Sequence, residues 1–364
     1  MSTNGLGNTQ RYPGSANDGL GYVEISGDPY DVGVQIGQFG AHAVNEYLIH
    51  TNAWATVVSH RSDPRVARMA ARVEQIFPRY YAELSGLANG LGVAFEDVFA
   101  WNCRGDIWPL APDGCTTVQT PQAHNPEGNH IISHNEDGDP GFRGHCALLR
   151  IVPTDGPSFT TFAYPGSLPG HTFAATDDGL VQTVNNIRAL DIGDGLPRMV
   201  LTRAVLDCRG IDDVVNLLRT SERAGAFHLT IAKSGDPRMV SIEFTSENCS
   251  VIEINSPSIH ANHLVHDDMI NIKQLITDSS AARQRRGAEI INGDEVGSNP
   301  LSVLHDDDGS GLSIYRKDPN DPDHENTLAT VVFSVKDDDV DWCVYDNVGV
   351  PSRFHIGKDS VSGL

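Results

Sequence analysis

The 364-residue sequence predicts an α+β fold. Two observations carry this: apolar residues recur at helical spacing over the first third of the chain, and strand-like runs in hairpin succession dominate the rest. Helices and strands are grouped rather than alternating as βαβ units. Residues 29–80 read as helical, on the apolar series Val32, Val34, Ile36, Phe39, then Val44, Leu48, Ile49, then Val66, Met69, Val73, Ile76. Tyr81 to Leu87 extend the series, and Ala88-Asn89-Gly90-Leu91-Gly92 carries the glycines that end a helix. A short helix follows over 95–102. Beyond residue 115, strands are predicted at 116–118, 130–134, 147–152, 159–163 and 179–184, separated by turn clusters such as Asn125-Pro126-Glu127-Gly128. Residues 197–222 return to helix. Strands resume at 227–232, 239–244 and 251–254, and again at 328–334 and 342–345, with a helix near 279–292 between the last groups. Neither an internal repeat nor a linker divides the sequence.

Composition excludes some classes of partner. A formal net charge of −22 argues against nucleic acid, whose phosphates need clustered cations. There are only five lysines, and aspartate occurs in runs such as Asp306-Asp307-Asp308 and Asp337-Asp338-Asp339, which read as solvated acidic faces and suit a salt-adapted host. No segment reaches the ~20 consecutive apolar residues of a membrane span. The polar start, Met1 to Asp18, lacks the apolar segment of a signal peptide and reads as a loose leader, so the expected location is the cytoplasm. The six cysteines, at 103, 115, 146, 208, 249 and 343, have no regular spacing and read as free thiols. Five of them read as small buried hydrophobes.

The sixth sits in Asp113-Gly114-Cys115-Thr116-Thr117. Gly114 can adopt a strained turn and leaves its carbonyl open to attack by the Cys115 thiol. Transfer of the acyl group from nitrogen to sulfur, then hydrolysis, would make Cys115 an N-terminal residue. Its α-amine, with an unperturbed pKa of about 7.7–8, would serve as a general base for its own thiol. The plain alternative is a cysteine buried in a loop.

The surroundings of Cys115 carry a resemblance. Gly27-Asp28-Pro29-Tyr30-Asp31-Val32-Gly33-Val34-Gln35-Ile36-Gly37, Leu87-Ala88-Asn89-Gly90-Leu91-Gly92, Glu96-Asp97-Val98 and Asn102-Cys103-Arg104 precede the Asp-Gly-Cys-Thr-Thr segment. Asn135-Glu136-Asp137, Gly179-Leu180-Val181-Gln182-Thr183-Val184-Asn185-Asn186, His260-Ala261-Asn262-His263 and Ser313-Ile314-Tyr315-Arg316 follow it. In this order, over about nine tenths of the chain, the set resembles the isopenicillin-N (acyl-CoA:6-aminopenicillanic acid) acyltransferase family of N-terminal-nucleophile hydrolases. The resemblance implies a four-layer αββα sandwich and self-cleavage between Gly114 and Cys115. It also implies that 1–114 and 115–364 stay associated as one entwined domain, leaving homo-oligomerisation open. Cys115 would be the nucleophile, and Asp137 would set the charge and position of the new amine. Asn262 would donate to the oxyanion, a contribution of ~3 kcal/mol. Asn185 is a second candidate donor, with Asn186 beside it. Arg316 would bind a substrate carboxylate or brace the site.

Departures bear on substrate. Ala174-Ala175-Thr176-Asp177-Asp178 stands where relatives often carry an asparagine, His228 where many have a small polar residue or asparagine, and Tyr315 where cysteine is common. His228 and Tyr315 are therefore expected to line or border the substrate pocket. The expected activity is cleavage of a small N-acyl amine or peptide-like amide through a Cys115 thioester, without a cofactor. Acyl-CoA-dependent N-acyl transfer, with acyl-CoA as a substrate, is the alternative. A metal-dependent hydrolase is the reading of the clusters His124, His130, His134, His145 and His260, His263, His266, but His-x2-His-x2-His fits neither one helical face nor one strand face. No metal is therefore expected. A non-catalytic binding protein is opposed by the intact Gly114-Cys115 and Asn262.

Overall fold

The computed structural model of the chain describes residues 10–11, 20–111, 114–293, 299–307, 309, 311–346, 352–357 and 360–363. Asp113, Asp308 and the expected leader, apart from Gln10–Arg11, lie outside the described residues. The helical first third divides into α1 (Pro29–Glu46), α2 (Asn52–Val58), α3 (Pro64–Ile76), α4 (Pro78–Leu91), α5 (Phe95–Asn102) and α6 (Arg104–Ile107). Residues 29–80 are not one helix, because Asp-Pro and Thr-Asn pairs restart it. Asp28, Thr51 and Asp63 each cap the following helix with a side-chain oxygen, and Pro29, Pro64 and Pro78 occupy first-turn positions where no amide donor is needed. Gly92, with φ of 69°, ends α4 in the left-handed conformation.

The strands form two sheets. The first has the order β1 (Gln10–Arg11), β2 (Gly21–Gly27), β5 (Ala147–Pro153), β6 (Phe159–Ala163), β7 (Ala174–Thr176), β8 (Leu180–Asn186), β9 (Phe227–Lys233), β10 (Met239–Phe244), β11 (Cys249–Glu253). The second has the order β12 (Ser258–His260), β3 (Gly114–Thr120), β4 (His130–Gly138), β13 (Asn326–Val335), β14 (Val340–Tyr345), β15 (Ser352–Gly357), β16 (Ser360–Gly363). Neighbours are antiparallel except β2 and β5, which run parallel. The sequence pattern missed β2, because Ile25 alone among its seven residues is buried.

Helices cover both outer faces. On the first sheet α1 packs on β2 and β5, and α8 (Ile211–Thr220), which follows α7 (Arg198–Val205), packs on β9 to β11. On the second, α9 (Asp278–Ile291) and α10 (Leu301–Leu304) pack on β3, β4 and β12. This is the αββα layering that the family resemblance implies. Between the sheets, Phe162 and Phe173 of the first meet Phe333 and Trp342 of the second in a run of ring contacts. Helices α1 and α4 cross at backbone contact. A Cβ on Gly33 would stand 2.0 Å from the Glu83 carbonyl oxygen, and one on Gly90 would stand 2.1 Å from that of Val34. Among the described residues no helix is long and apolar enough to cross a membrane. None of the six cysteines forms a disulfide; Cys103, Cys115 and Cys146 are buried, whereas Cys208, Cys249 and Cys343 are only half-buried.

Candidate active site

Strand β3 is buried along its whole length, between the first sheet and α9, so its two faces do different work. Alternation turns Cys115, Thr117 and Gln119 toward the first sheet. The Thr117 hydroxyl donates to Asn185 Oδ1 at 2.8 Å and Gln119 Nε2 donates to Thr230 Oγ1 at 2.6 Å. Thr116 faces α9, where Arg283 Nη1 donates to its Oγ1 at 2.7 Å and to the Cys115 carbonyl oxygen at 2.5 Å. Cys115 is 3% exposed. Its backbone N–H donates to Asn262 Oδ1 at 3.0 Å, and Arg283 Nη2 donates to the same oxygen at 2.7 Å. Two donors at Oδ1 fix the Asn262 amide, so its Nδ2 donates the other way, to the Asn186 carbonyl at 3.1 Å.

The β3–β4 register sets Glu136 opposite Cys115 and His134 opposite Thr117. The Cys115 sulfur, a His134 ring nitrogen and a Glu136 carboxylate oxygen all lie within 4.8 Å of one another, and all three residues are buried. A chain of obligatory donors settles where the protons are. Asn185 Nδ2 donates to the His260 carbonyl at 3.1 Å, which turns its Oδ1 to Thr117 and His228. The single Thr117 hydroxyl proton is spent on that oxygen, so His134 Nδ1, 2.8 Å from Thr117 Oγ1, must donate. Burial pushes the His134 pKa down to about 3, so the ring is neutral and Nε2 carries a lone pair. Glu136 Oε2 lies 3.1 Å from Nε2 and must supply the proton between them. The Tyr164 hydroxyl donates to Glu136 Oε1 at 3.0 Å.

Gly114 lies in a different environment, on the face it shares with Asp137, its cross-strand partner. A Cβ there would stand 2.1 Å from Glu325 Oε2 and 2.7 Å from Arg316 Nη1. Arg316 donates to Glu325, Asp321 and Asp323, and Arg188 adds a contact of 3.6 Å to Glu325. Asp137 Oδ1 accepts from Thr327 at 2.7 Å, while its buried Oδ2 accepts no hydrogen bond. Burial raises the Asp137 pKa against the pull of Arg316 and Arg283.

These positions revise several expectations. Gly114 is not in a strained turn: it begins strand β3 without a positive φ, and glycine is required there by the Arg316–Glu325 pair. Asn262 faces the Cys115 nitrogen as an acceptor, its N–H being held by Asn186. Asn185 likewise has its amide bound to the His260 carbonyl, so neither is a free oxyanion donor in the uncut chain. Arg316 braces the site, since three carboxylates hold its guanidinium. His228 is not open to the surface. It is fully buried, hydrogen-bonded to Asn185 and Ser241, and stacked on His260 at 3.5 Å. Tyr315 does line a cavity of about 370 Å³, with Ser313, Arg316, Asp318 and Asp321. The histidine clusters diverge: His124 and His130 bind the carbonyls of Asn255 and Pro237, and His260 binds Glu243. Among the described residues the donors spaced to hold a metal are Cys115, His134 and Glu136, so one histidine of the seven takes part.

Sequence reasoning missed Arg283 and the pair His134–Glu136. The arginine hides among Arg283, Arg285 and Arg286, and only the phase set by Gly287, packed on Ile259, turns it inward. The pair was legible in principle, since β4 alternation places His134 and Glu136 on one face and Asn135 and Asp137 on the other.

Comparison with known proteins decides the family. The profile of the acyl-coenzyme A:6-aminopenicillanic acid acyl-transferase family matches residues 124–348. The chain belongs to this family. It is similar to the beta-alanyl-dopamine/carcinine hydrolase of Drosophila melanogaster, 24% identical over 350 residues, which cover 85% of this chain and 88% of that protein. It is also similar to the 40 kDa form of acyl-coenzyme A:6-aminopenicillanic-acid-acyltransferase of Emericella nidulans, at 20% identity over 93% of this chain and 92% of the relative. A solved variant of conjugated bile acid hydrolase from Clostridium perfringens superposes with a TM-score of 0.45 at 11% identity, covering 69% of this chain and 96% of that one. As a family member the chain is an enzyme of the amide-hydrolysing and acyl-transferring kind.

Proposed function

We propose that the protein cuts itself between Gly114 and Cys115 and then cleaves small N-acyl amines through a Cys115 thioester. The observation that carries this reading is the seating of the Gly114–Cys115 bond. The nitrogen to be released is held by Asn262, the acyl residue can only be glycine, and the sulfur lies inside a buried polar site. After cleavage Asn262 Oδ1 would hold the new amine, and the vacant Oδ2 of Asp137 lies across the strand pair to balance its charge. The amine would take the thiol proton, the sulfur would attack the substrate carbonyl, and the same amine would return the proton to the leaving nitrogen.

Cys115 is too buried to meet a substrate in the uncut chain. Arg316 both abuts Gly114 and lines the cavity that Tyr315 borders, so withdrawal of the Gly114 end would join that cavity to the sulfur. The Drosophila relative's name makes β-alanyl amides the first class to test. The fungal relative favours a second reading, transfer from acyl-CoA to an amine. The segments 1–114 and 115–364 would remain associated through β2 and β5, and the reaction would need no cofactor, with acyl-CoA entering only as a substrate.

A denaturing gel and a substrate panel test this. Wild-type protein should yield fragments 1–114 and 115–364, whereas Cys115→Ala should stay whole and turn over neither N-acyl amines nor acyl-CoA thioesters offered with or without an acceptor amine. A wild-type chain that stays intact after prolonged incubation, yet is fully active, would overturn the proposal.

A further inference from the structure

Self-cleavage poses a problem that the mature enzyme does not have. In the uncut chain the Cys115 nitrogen is an amide and cannot act as a base, so another group must take the thiol proton. We propose that Glu136 and His134 form the proton-holding pair of the uncut chain, which drives the first acyl shift from nitrogen to sulfur. This inference rests on the reading of Cys115 as a self-cleaving nucleophile.

Three features support it. The register of β3 on β4 places Glu136 directly opposite Cys115, with donor atoms of both residues and of His134 within 4.8 Å of one another, a separation spanned directly or by one water. The donor chain from the His260 carbonyl through Asn185 and Thr117 leaves His134 Nε2 as an acceptor and puts one proton on its contact with Glu136. The Tyr164 hydroxyl, donating to Glu136 Oε1 at 3.0 Å, holds that carboxyl beside the imidazole. The other candidate carboxylate, Asp137, projects to the opposite face of β4, beside Thr327, while Asn262 and Arg283 hold the Cys115 nitrogen and carbonyl.

The step balances. The thiol proton passes to the Glu136 carboxyl as the proton Glu136 shares moves onto His134, leaving a thiolate beside an imidazolium. The sulfur bonds to the Gly114 carbonyl carbon, and the carbon–nitrogen bond to Cys115 breaks. The departing nitrogen takes one proton back from the pair, which returns to its starting state. Water then hydrolyses the thioester to a Gly114 carboxylate and a free thiol.

The test follows cleavage of purified full-length chain over time, with and without hydroxylamine, which cuts a thioester but not the amide. Wild type should cleave, and hydroxylamine should hasten release of the 1–114 fragment. Glu136→Gln, nearly isosteric, should slow cleavage at least 100-fold, and hydroxylamine should not restore it, because no thioester forms. Glu136→Asp should recover part of the rate with a displaced pH profile, which a purely structural role would not give. His134→Gln should also be slow, and melting curves matched to Cys115→Ala keep misfolding apart from lost chemistry. Cleavage of both Glu136→Gln and His134→Gln at the wild-type rate overturns the pair's role. So does hydroxylamine-driven release from Glu136→Gln as fast as from wild type. Failure of the wild type itself to cut, or cutting by Cys115→Ala, removes the nucleophile reading instead.

Discussion

At Gly114 two demands meet on one residue: in the proposed self-cleavage it would present its carbonyl to the neighbouring thiol, and it leaves room for a buried ion pair. A methyl group there would fall 2.1 Å from Glu325 Oε2, which cannot retreat without breaking its bond to Arg316. Gly114→Ala should therefore fold with a displaced Arg316–Glu325 pair and cut at least tenfold more slowly, measured as fragment release under conditions where wild type is complete. Wild-type kinetics in this variant would show that the cleft yields more easily than the packing implies. At this scale the sequence pointed to the proposed nucleophile through its neighbours, but not to the direction in which each partner donates. Asn262 reads equally well as donor or acceptor until the Cys115 amide and Arg283 are seen converging on its oxygen. The burial of His228 was not legible either, because it comes from β9 being paired on both sides, which seals the ring between Asn185 and Ser241.

Among elements, α1 and α4 cross with their backbones in contact. Gly33, Gly37, Gly86 and Gly90 let two backbones touch where any Cβ would overlap a carbonyl or an α-carbon. Gly90→Ala should part the helices and destabilise the fold by about 3 kcal/mol, at the upper end of the overpacking range, read from the shift in denaturation midpoint at unchanged slope. A change within 0.5 kcal/mol would mean that the helices separate freely. The helices and most strands were legible because periodicity and Asp-Pro or Thr-Asn starts mark them locally. Strand β2 was not, since its burial is set by β5, a partner more than a hundred residues away, and one buried residue leaves no alternation to read. The short strands β7 and β12 fall below the length at which a period of two can be recognised.

For the whole molecule, β2 and β5 lie on opposite sides of the Gly114–Cys115 bond and pair over seven residues. While that bond is intact, the sheet can be rebuilt by one chain acting alone. Once it is cut, the same sheet needs two molecules to meet, and the order of the refolding reaction changes from first to second. Denatured cut enzyme should then recover in a yield that falls on dilution, whereas uncut Cys115→Ala should recover equally at every concentration, both followed by far-UV circular dichroism after removal of urea. Equal recovery of the two would show that β2 does not need to find its partner anew. The parallel pairing of β2 with β5 would thus give a chain cut as proposed a memory of its own synthesis, because its two pieces would have to meet before the sheet could form again.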